Sequence, residues 1–431
     1  MKPRNRKTSV VAPHRNASDL RGLGKLAIDG VTGVTDLMEA MHAAITHLPS
    51  VIGRTAPVAT TGLPGLVYRS IRGTTRLVGE GVDRSLSTLE PLLGGWRPSA
   101  RREAMVAALN GVLGDHLEIS ANPLALRMQL RREGHPLDLT GDALAQVFTP
   151  PSDKLLVQVH GLCMNDLQWK YAGHDHGQAL ERDLQYSALH LHYNSGRRVS
   201  RNGIECAALL DQLVEAWPVP IRELTLLCHS MGGLVARSAL HQALEQQLEW
   251  TRLPIRIVFL GTPHHGAPLE RAGSWLDLLI GSTPYSAPFA RLGKVRSAGI
   301  QDLRHGNLRD ADWQDRDGDG IADGRMPMPL PPQVQAYAVA VSTADAPIDT
   351  DHSGLRGDGL VPLASALGQH PQRAFDLRIP KSRRWIGYGI NHLEMLGSPR
   401  VYRQLLRWLA PRTPSAAGGN PRPTASSRTR S

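Results

Sequence analysis

The spacing of apolar residues divides the chain into two parts near residue 150. Before that point, apolar residues recur every three to five positions over residues 23–48 and again over residues 66–89. This is the spacing of an amphipathic helix, and a third helix is predicted over residues 101–113. The sequence therefore predicts a helical N-terminal extension over residues 21–149, with no convincing strand pattern up to residue 130.

After residue 150, short apolar runs alternate with helical patterns. The predicted strands cover residues 154–159, 188–192, 223–228, 255–260, 334–341 and 374–379, and the predicted helices cover residues 203–217, 231–248 and 399–409. Such alternation is typical of a mostly parallel sheet with helices on both faces, because each parallel crossover returns through a helix. The expected fold class is α/β, with the sheet-bearing domain over residues 150–410.

One long stretch between two predicted strands, residues 261–333, has no strand pattern of its own. Insertions of this length in a compact domain are typically lids or binding loops. Within it, residues 274–285 are apolar and helix-like, with aromatic side chains. We interpret them as a candidate lid over an acyl or lipid substrate; a helix packed on the core is the alternative.

The net charge of +10 is concentrated at the two ends of the chain. Residues 1–30 carry seven Lys/Arg and two Asp, residues 411–431 carry four Arg and no acidic residue, and the rest contribute only +1. Because the basic residues lie outside the predicted domain, they do not indicate a nucleic-acid-binding groove. Residues 1–20 and 411–431 are expected to be disordered tails.

The composition, 41% hydrophobic, is that of a globular protein, and no run of about 18 apolar residues could span a bilayer. The N-terminus lacks the apolar core of a signal peptide, and three cysteines (Cys163, Cys206 and Cys228) are too few for a disulfide framework. We therefore expect a cytoplasmic protein. Peripheral membrane contact through the N-terminal segment is an open alternative, since basic residues flank its first amphipathic run.

The strongest chemical signal surrounds Ser230. An apolar strand pattern runs directly into this serine and a helical pattern leaves it, which is typical of a nucleophile elbow. Such a turn needs small residues two positions to either side; Gly232 satisfies this, and Cys228 stands where glycine is usual. His229 precedes the serine in the same motif. The alternative is an ordinary serine in a glycine-containing turn.

A second motif follows the predicted strand 154–159, where the chain reads His160-Gly161-Leu162. In an enzyme with a nucleophile elbow, the loop at this position supplies one backbone N–H of the oxyanion hole, here that of Leu162. The residue after the nucleophile, Met231, supplies the other. Backbone donors suit this task because they are aimed in advance at the oxygen on which negative charge develops.

The partners of the serine are predicted from two later loops. Asp358 lies between two glycines, so its carboxylate is free to point at an imidazole, and His392 lies in the loop before the last predicted helix. The order Ser230, Asp358, His392 is the order that a strand–elbow–helix enzyme of this kind requires. Because every one of these motifs follows residue 150, the N-terminal extension is expected to be an accessory outside the active site.

With these motifs, the sequence resembles the α/β-hydrolase lipases and esterases, especially bacterial proteins related to the hydrolase domain of GPI inositol-deacylases. The resemblance covers roughly residues 150–410 and also includes the segment Gly261-Thr262-Pro263-His264-His265-Gly266. It implies an α/β-hydrolase fold and hydrolysis of carboxylic esters through a Ser–His–Asp triad, with no cofactor required. A catalytically weak lipid-surface or partner-binding protein with the same fold is the competing hypothesis.

An acidic segment in the insertion has the alternating spacing of a calcium loop. Its carboxylates are those of Asp315, Asp317, Asp319 and Asp323. Carboxylates at alternate positions can converge on a hard cation, but the twelfth position of an EF-hand, which needs an acidic residue, holds Met326. Calcium binding and a solvated acidic turn both stay open.

Overall fold

The computed structural model describes residues 21–22, 24–30, 32, 69–75, 77, 100–266, 297–314, 325–346 and 357–411. The candidate lid 274–285, the acidic segment 315–323 and the two predicted tails, apart from residue 411, lie outside the described residues. Residues 24–30 and 69–75 are helical, as the apolar spacing predicts. Among the residues described, no helix is both long and apolar enough to cross a membrane.

In the described part of the chain, eight strands form one sheet. Their bounds are β1 Gln129–Arg132, β2 His135–Pro136, β3 Lys154–Val159, β4 Ser187–His192, β5 Glu223–His229, β6 Ile255–Leu260, β7 Gln335–Ser342 and β8 Arg384–Tyr388. The strand order is β2-β1-β4-β3-β5-β6-β7-β8. Strands β3 to β8 pair in parallel, whereas β1 is antiparallel to both β2 and β4. The carboxyl ends of the parallel strands therefore meet at one edge.

Helices cover both faces of this sheet. They are α1 Ala100–Ile119, α2 Gly141–Val147, α3 His176–Leu184, α4 Val199–Ala216, α5 Gly232–Glu245, α6 Ala298–His305 and α7 Pro399–Leu409. Leu155 of β3 belongs to the same buried cluster as Leu210 of α4 and Leu234 of α5. The next residue, Leu156, belongs to the cluster on the other face with Leu405 of α7. Because alternate strand residues point to opposite faces, both faces of the central strand are buried.

Most of the predicted elements are confirmed. Strands 154–159 and 255–260 and helix 399–409 have the predicted bounds, and the helix predicted over 101–113 extends over Ala100–Ile119. The predicted strand 374–379 is wrong, because Arg378 has a left-handed φ of +52°, which interrupts extended backbone. The last strand is instead β8, which pairs with β7.

The sheet also begins earlier than the predicted domain. Strands β1 and β2 precede residue 150 and form the antiparallel end of the sheet beside β4. They were not predicted, since each is very short and one of them holds a proline. The division into an extension over 21–149 and a domain over 150–410 stays a prediction.

Candidate active site

Ser230 occupies the turn between strand β5 and helix α5 with a left-handed φ of +53°. Its backbone N–H donates to the carbonyl oxygen of Leu260 at 2.9 Å. A non-glycine residue in this region costs of order 1–3 kcal/mol, so the surrounding structure must hold it there. Gly232 permits the turn, because a Cβ at this position would lie 2.2 Å from the carbonyl oxygen of Val159. Cys228 is buried within strand β5, which continues to His229.

Asp358 is held by its own loop. One carboxylate oxygen, Oδ1, accepts hydrogen bonds from the backbone N–H groups of Leu360 at 2.9 Å and Val361 at 2.7 Å. The intervening Gly359 has a φ of +93°, a conformation that glycine adopts without steric cost. This arrangement leaves Oδ2 for a second partner.

That partner is His392. Its Nδ1 lies 2.7 Å from Asp358 Oδ2, and its backbone N–H donates to the carbonyl oxygen of Asp358 at 3.1 Å. Because a carboxylate only accepts, Nδ1 carries the proton and Nε2 carries a free lone pair. His392 Nε2 is buried and has no hydrogen-bond partner within the described residues. The pair is thus a buried imidazole with one unused acceptor nitrogen.

The serine and this pair meet at the end of strand β6. Leu260 accepts the N–H of Ser230, and the next residue, Gly261, borders the pair: a Cβ there would lie 3.1 Å from Asp358 Oδ2 and 3.2 Å from His392 Cε1. In this structure Ser230 Oγ and His392 Nε2 do not form a hydrogen bond. Catalytic hydrogen bonds are often long before substrate binds, so the arrangement is compatible with a triad.

The two predicted oxyanion donors directly follow Gly161 and Ser230 in the chain. Gly161 packs on Ser230, since a Cβ on Gly161 would lie 3.0 Å from Ser230 Cβ. Leu162 and Met231 are buried residues, and neither of their amides donates a hydrogen bond within the described ranges. Neither amide is therefore committed to another described residue, as the role of an oxyanion donor requires.

Two further histidines are neighbours in sequence of residues at the site, His160 of Gly161 and His229 of Ser230, and burial keeps both neutral. Burial lowers the pKa of His160 to about 3 and that of His229 well below its usual value. His160 stacks on Tyr193 with ring centroids 4.3 Å apart, and its Nδ1 lies 2.9 Å from the carbonyl oxygen of Gly161. The neutral His229 ring therefore places no positive charge beside the His392 ring, whose centroid lies 4.7 Å away.

Sequence reasoning missed two contacts in this region. It did not assign a role to Gly261, whose left-handed φ of +59° brings the end of β6 against Asp358 and His392. It also gave His229 no partner, although His229 Nε2 lies 3.1 Å from the backbone carbonyl oxygen of His392. The glycine after a buried strand was a signal for the first contact; nothing in the sequence pointed to the second.

Metal ligation receives no support in the described part of the chain. There, no group of three or more His, Cys, Asp or Glu side chains could hold a metal ion. The candidate calcium ligands Asp315, Asp317, Asp319 and Asp323 lie outside that part, so calcium binding stays a prediction.

Comparison with known families supports the predicted resemblance. Residues 158–319 match the model of the PGAP1-like alpha/beta domain family. The fold is that of the α/β-hydrolases. The matched segment includes His160-Gly161-Leu162 and the turn at Ser230, and it ends before Asp358 and His392. An α/β-hydrolase fold with this elbow supports hydrolase activity.

Several solved structures are similar to this chain. An esterase from Pyrococcus furiosus, Pf2001, is 16% identical over 60% of this chain and 82% of its own, with a TM-score of 0.33. ESTFA is 13% identical over 73% and 95%, with a TM-score of 0.38. Phospholipase PlaB from Legionella pneumophila is 17% identical over 49% and 44%, with a TM-score of 0.29. The comparison with curated proteins gives no significant match.

Proposed function

We propose that the protein is a serine hydrolase that cleaves carboxylic esters through Ser230, His392 and Asp358. The observation that carries the proposal is the 2.7 Å pair of His392 Nδ1 and Asp358 Oδ2, whose buried Nε2 has no partner among the described residues. A serine in a left-handed strand-to-helix turn lies at the same edge of the sheet. Nucleophile, base and orienting acid are the three roles that acyl transfer needs.

In the first step, Ser230 Oγ attacks the ester carbonyl carbon while His392 Nε2 accepts the hydroxyl proton. The carbonyl oxygen becomes an oxyanion, and the amides of Leu162 and Met231 are its donors. Loss of one such donor in comparable enzymes costs about 10²- to 10³-fold in turnover. Asp358 keeps Nδ1 protonated and stabilises the imidazolium through its Oδ2.

In the second step, the tetrahedral intermediate collapses and the imidazolium gives its proton to the leaving alkoxide. The acyl group then remains on Ser230 as an ester. Water attacks this acyl-enzyme, with His392 again taking a proton, and the carboxylic acid leaves as the serine is restored. No cofactor takes part in these steps.

The proposed substrates are lipid or acyl esters. The apolar segment 274–285 comes after Gly261 in the chain and before helix α6. Its apolar composition supports an apolar acyl chain in the substrate, since ligand pockets are lined mainly by apolar residues. The cytoplasmic location and the peripheral membrane contact stay predictions.

A fluorophosphonate probe tests the proposed nucleophile, because only an activated serine reacts with it. We expect the unaltered protein to be labelled, and heat-denatured protein and the Ser230→Ala variant to remain unlabelled. The control variant Ser120→Ala, which changes a serine at the end of helix α1, should be labelled normally. If the native protein does not react with the probe and hydrolyses no p-nitrophenyl ester, the proposed ester hydrolysis is rejected. The competing hypothesis of a lipid-surface or partner-binding protein is then favoured.

A further inference from the structure

Helix α1 precedes the matched segment 158–319 in the chain, yet its backbone packs against the loop of residues 160–165, which carries the candidate oxyanion donor Leu162. A Cβ at Gly111 of this helix would lie 2.3 Å from Cys163 Sγ and 2.9 Å from both Cα and N of Cys163. Real Cβ atoms are not found so close to backbone atoms, so only glycine permits the approach. Cys163 directly follows Leu162, the candidate oxyanion donor.

Cys163 is itself held in an uncommon conformation. Its φ is +59°, its N–H donates to Ser195 Oγ at 3.1 Å, and its thiol lies 3.7 Å from the carbonyl oxygen of Ala108 in helix α1. A buried non-glycine residue keeps a left-handed φ only when its surroundings fix it. Here helix α1 and Ser195 provide these surroundings.

The turn that carries Ser195 is also placed by helix α1. Asn194 Nδ2 donates to the carbonyl oxygen of Gly114 at 2.9 Å. A Cβ at Gly114 would overlap the Asn194 side chain, and one at Gly196 would lie 2.1 Å from the carbonyl oxygen of Asn110. Gly111 and Gly114 thus allow helix α1 to pack closely on Cys163 and on the 194–196 turn. That turn carries Ser195, whose Oγ accepts the Cys163 N–H.

A buried chain of ion pairs ties helix α1 to the far end of the loop. Glu103 of α1 lies 3.2 Å from Arg131 of strand β1, and Arg131 lies 3.3 Å from Asp166. Asp166 comes three residues after Cys163 and begins a short 3-10 turn. Burial by itself would raise the pKa of Asp166, but His192, whose Nδ1 lies 3.1 Å from Oδ1, and the positive charge of Arg131 outweigh it and lower the pKa. The carboxylate is therefore charged and bound to Arg131.

From these contacts we propose that helix α1 is a positioning element of the oxyanion hole: it fixes the direction of the Leu162 N–H through Gly111, the 194–196 turn and the Glu103–Arg131–Asp166 chain. The proposal rests on the proposed ester hydrolysis. An amide must point at the developing oxyanion within a few tenths of an ångström, and displacements of about 1 Å can cost 10²-fold in rate. The N-terminal extension would then contribute to catalysis without touching substrate.

The decisive variant is Gly111→Ala in the full chain. The new methyl group would displace the backbone of Cys163, so we expect kcat for p-nitrophenyl butyrate to fall by about tenfold or more, with KM changed less than about threefold. Met105→Ala is the matched control, because Met105 is 56% exposed on the same helix, and it should keep full kcat. A variant without added bulk, Ser195→Ala, should lower kcat roughly two- to tenfold by removing the acceptor of the Cys163 amide.

Hydrogen–deuterium exchange supplies a readout that does not need activity. In Gly111→Ala and Ser195→Ala, peptides covering residues 160–166 should exchange faster, while the helix α7 peptides stay as in the unaltered protein. Unchanged kcat and unchanged exchange in this loop would overturn the proposal. Equal changes in kcat and KM, together with faster exchange throughout the molecule, would also overturn it, because they would indicate general destabilisation. If the unaltered protein hydrolyses no ester, the proposed function fails, and the local exchange still decides whether α1 positions the loop.

Discussion

His229 Nε2 lies 3.1 Å from the backbone carbonyl oxygen of His392, so the residue before the candidate nucleophile is hydrogen-bonded to the candidate base. Because the carbonyl only accepts, Nε2 of His229 carries the proton. Burial lowers the pKa of this ring well below its usual value, so the ring stays neutral. The bond joins the end of strand β5 to a loop that follows strand β8, and it fixes the elbow and the base relative to one another.

Removal of this bond is expected to slow catalysis more than it weakens substrate binding. A net hydrogen bond contributes about 0.5–1.5 kcal/mol, so His229→Ala should lower kcat by up to roughly tenfold. His229→Gln retains an N–H donor and should recover part of this loss. Steady-state kinetics on both variants, with melting temperatures for comparison, check the effect. A kcat in His229→Ala equal to that of the unaltered protein would remove His229 from any positioning role.

The triad itself makes the largest predictions. Ser230→Ala should abolish ester hydrolysis and leave the melting temperature close to that of the unaltered protein, since the Ser230 hydroxyl makes no hydrogen bond to another described residue. Asp358→Asn should cost on the order of 10⁴-fold in turnover, as in serine proteases, because the amide no longer selects the Nδ1–H tautomer of His392. Near-full activity in Ser230→Ala would reject the mechanism.

The three candidate site residues could be proposed from the sequence alone. Ser230, Asp358 and His392 each lie at a strand end or in a loop, where local pattern and chemistry agree, and their catalytic roles stay predictions. The structure brings Asp358 and His392 to 2.7 Å, although 34 positions separate them in the chain. Residues 374–379 failed as a strand because an apolar run alone cannot exclude the left-handed φ at Arg378.

The role of helix α1 could not be predicted from its pattern. In the sequence, Gly111 and Gly114 only indicate a less stable helix. In the structure they make room for the backbone of Cys163 and the side chain of Asn194, which are distant in sequence. Nor could the Glu103–Arg131–Asp166 chain be predicted, because strand β1 has only four residues and no clear alternation. Tertiary contacts of this kind leave no periodic signal.

Acyl-chain preference tests the apolar insertion. If residues 274–285 line or cover an acyl pocket, medium or long chains should be preferred over acetate. Each buried methylene contributes about 0.8 kcal/mol, so three extra carbons could raise kcat/KM more than about tenfold. A series of p-nitrophenyl esters from acetate to decanoate measures this. Equal kcat/KM for acetyl and octanoyl esters would indicate a small, open pocket.

Calcium binding by the acidic segment predicts a stability change. A ligand that binds only the folded state raises the melting temperature by mass action, so millimolar calcium should raise it if Asp315, Asp317, Asp319 and Asp323 hold the ion. The double variant Asp317→Asn/Asp319→Asn should lose this response. Magnesium at equal concentration is the control for ionic strength. No calcium-dependent shift in the unaltered protein would leave the segment as a solvated acidic turn.

Buried histidines predict how stability depends on pH. Among the residues described, burial lowers the pKa of several histidines. The pKa falls to about 3 for His160 and His265 and to about 4 for His176. It falls well below the usual value for His229 and His264. Their usual pKa in an unfolded chain is about 6.5. Below pH 6.5 the unfolded chain therefore binds protons that the folded protein does not.

The free energy of unfolding should consequently fall as the pH is lowered from 6.5 to 5, a range above the usual pKa values of most carboxyl groups. Each histidine that stays neutral only when folded contributes a slope approaching about 1.4 kcal/mol per pH unit. Urea unfolding at pH 7.0, 6.0 and 5.0 measures the combined slope. His176→Gln removes one such group without adding charge, so the slope should decrease in this variant. A free energy of unfolding that is constant from pH 7 to pH 5 would mean that these rings accept protons in the folded protein.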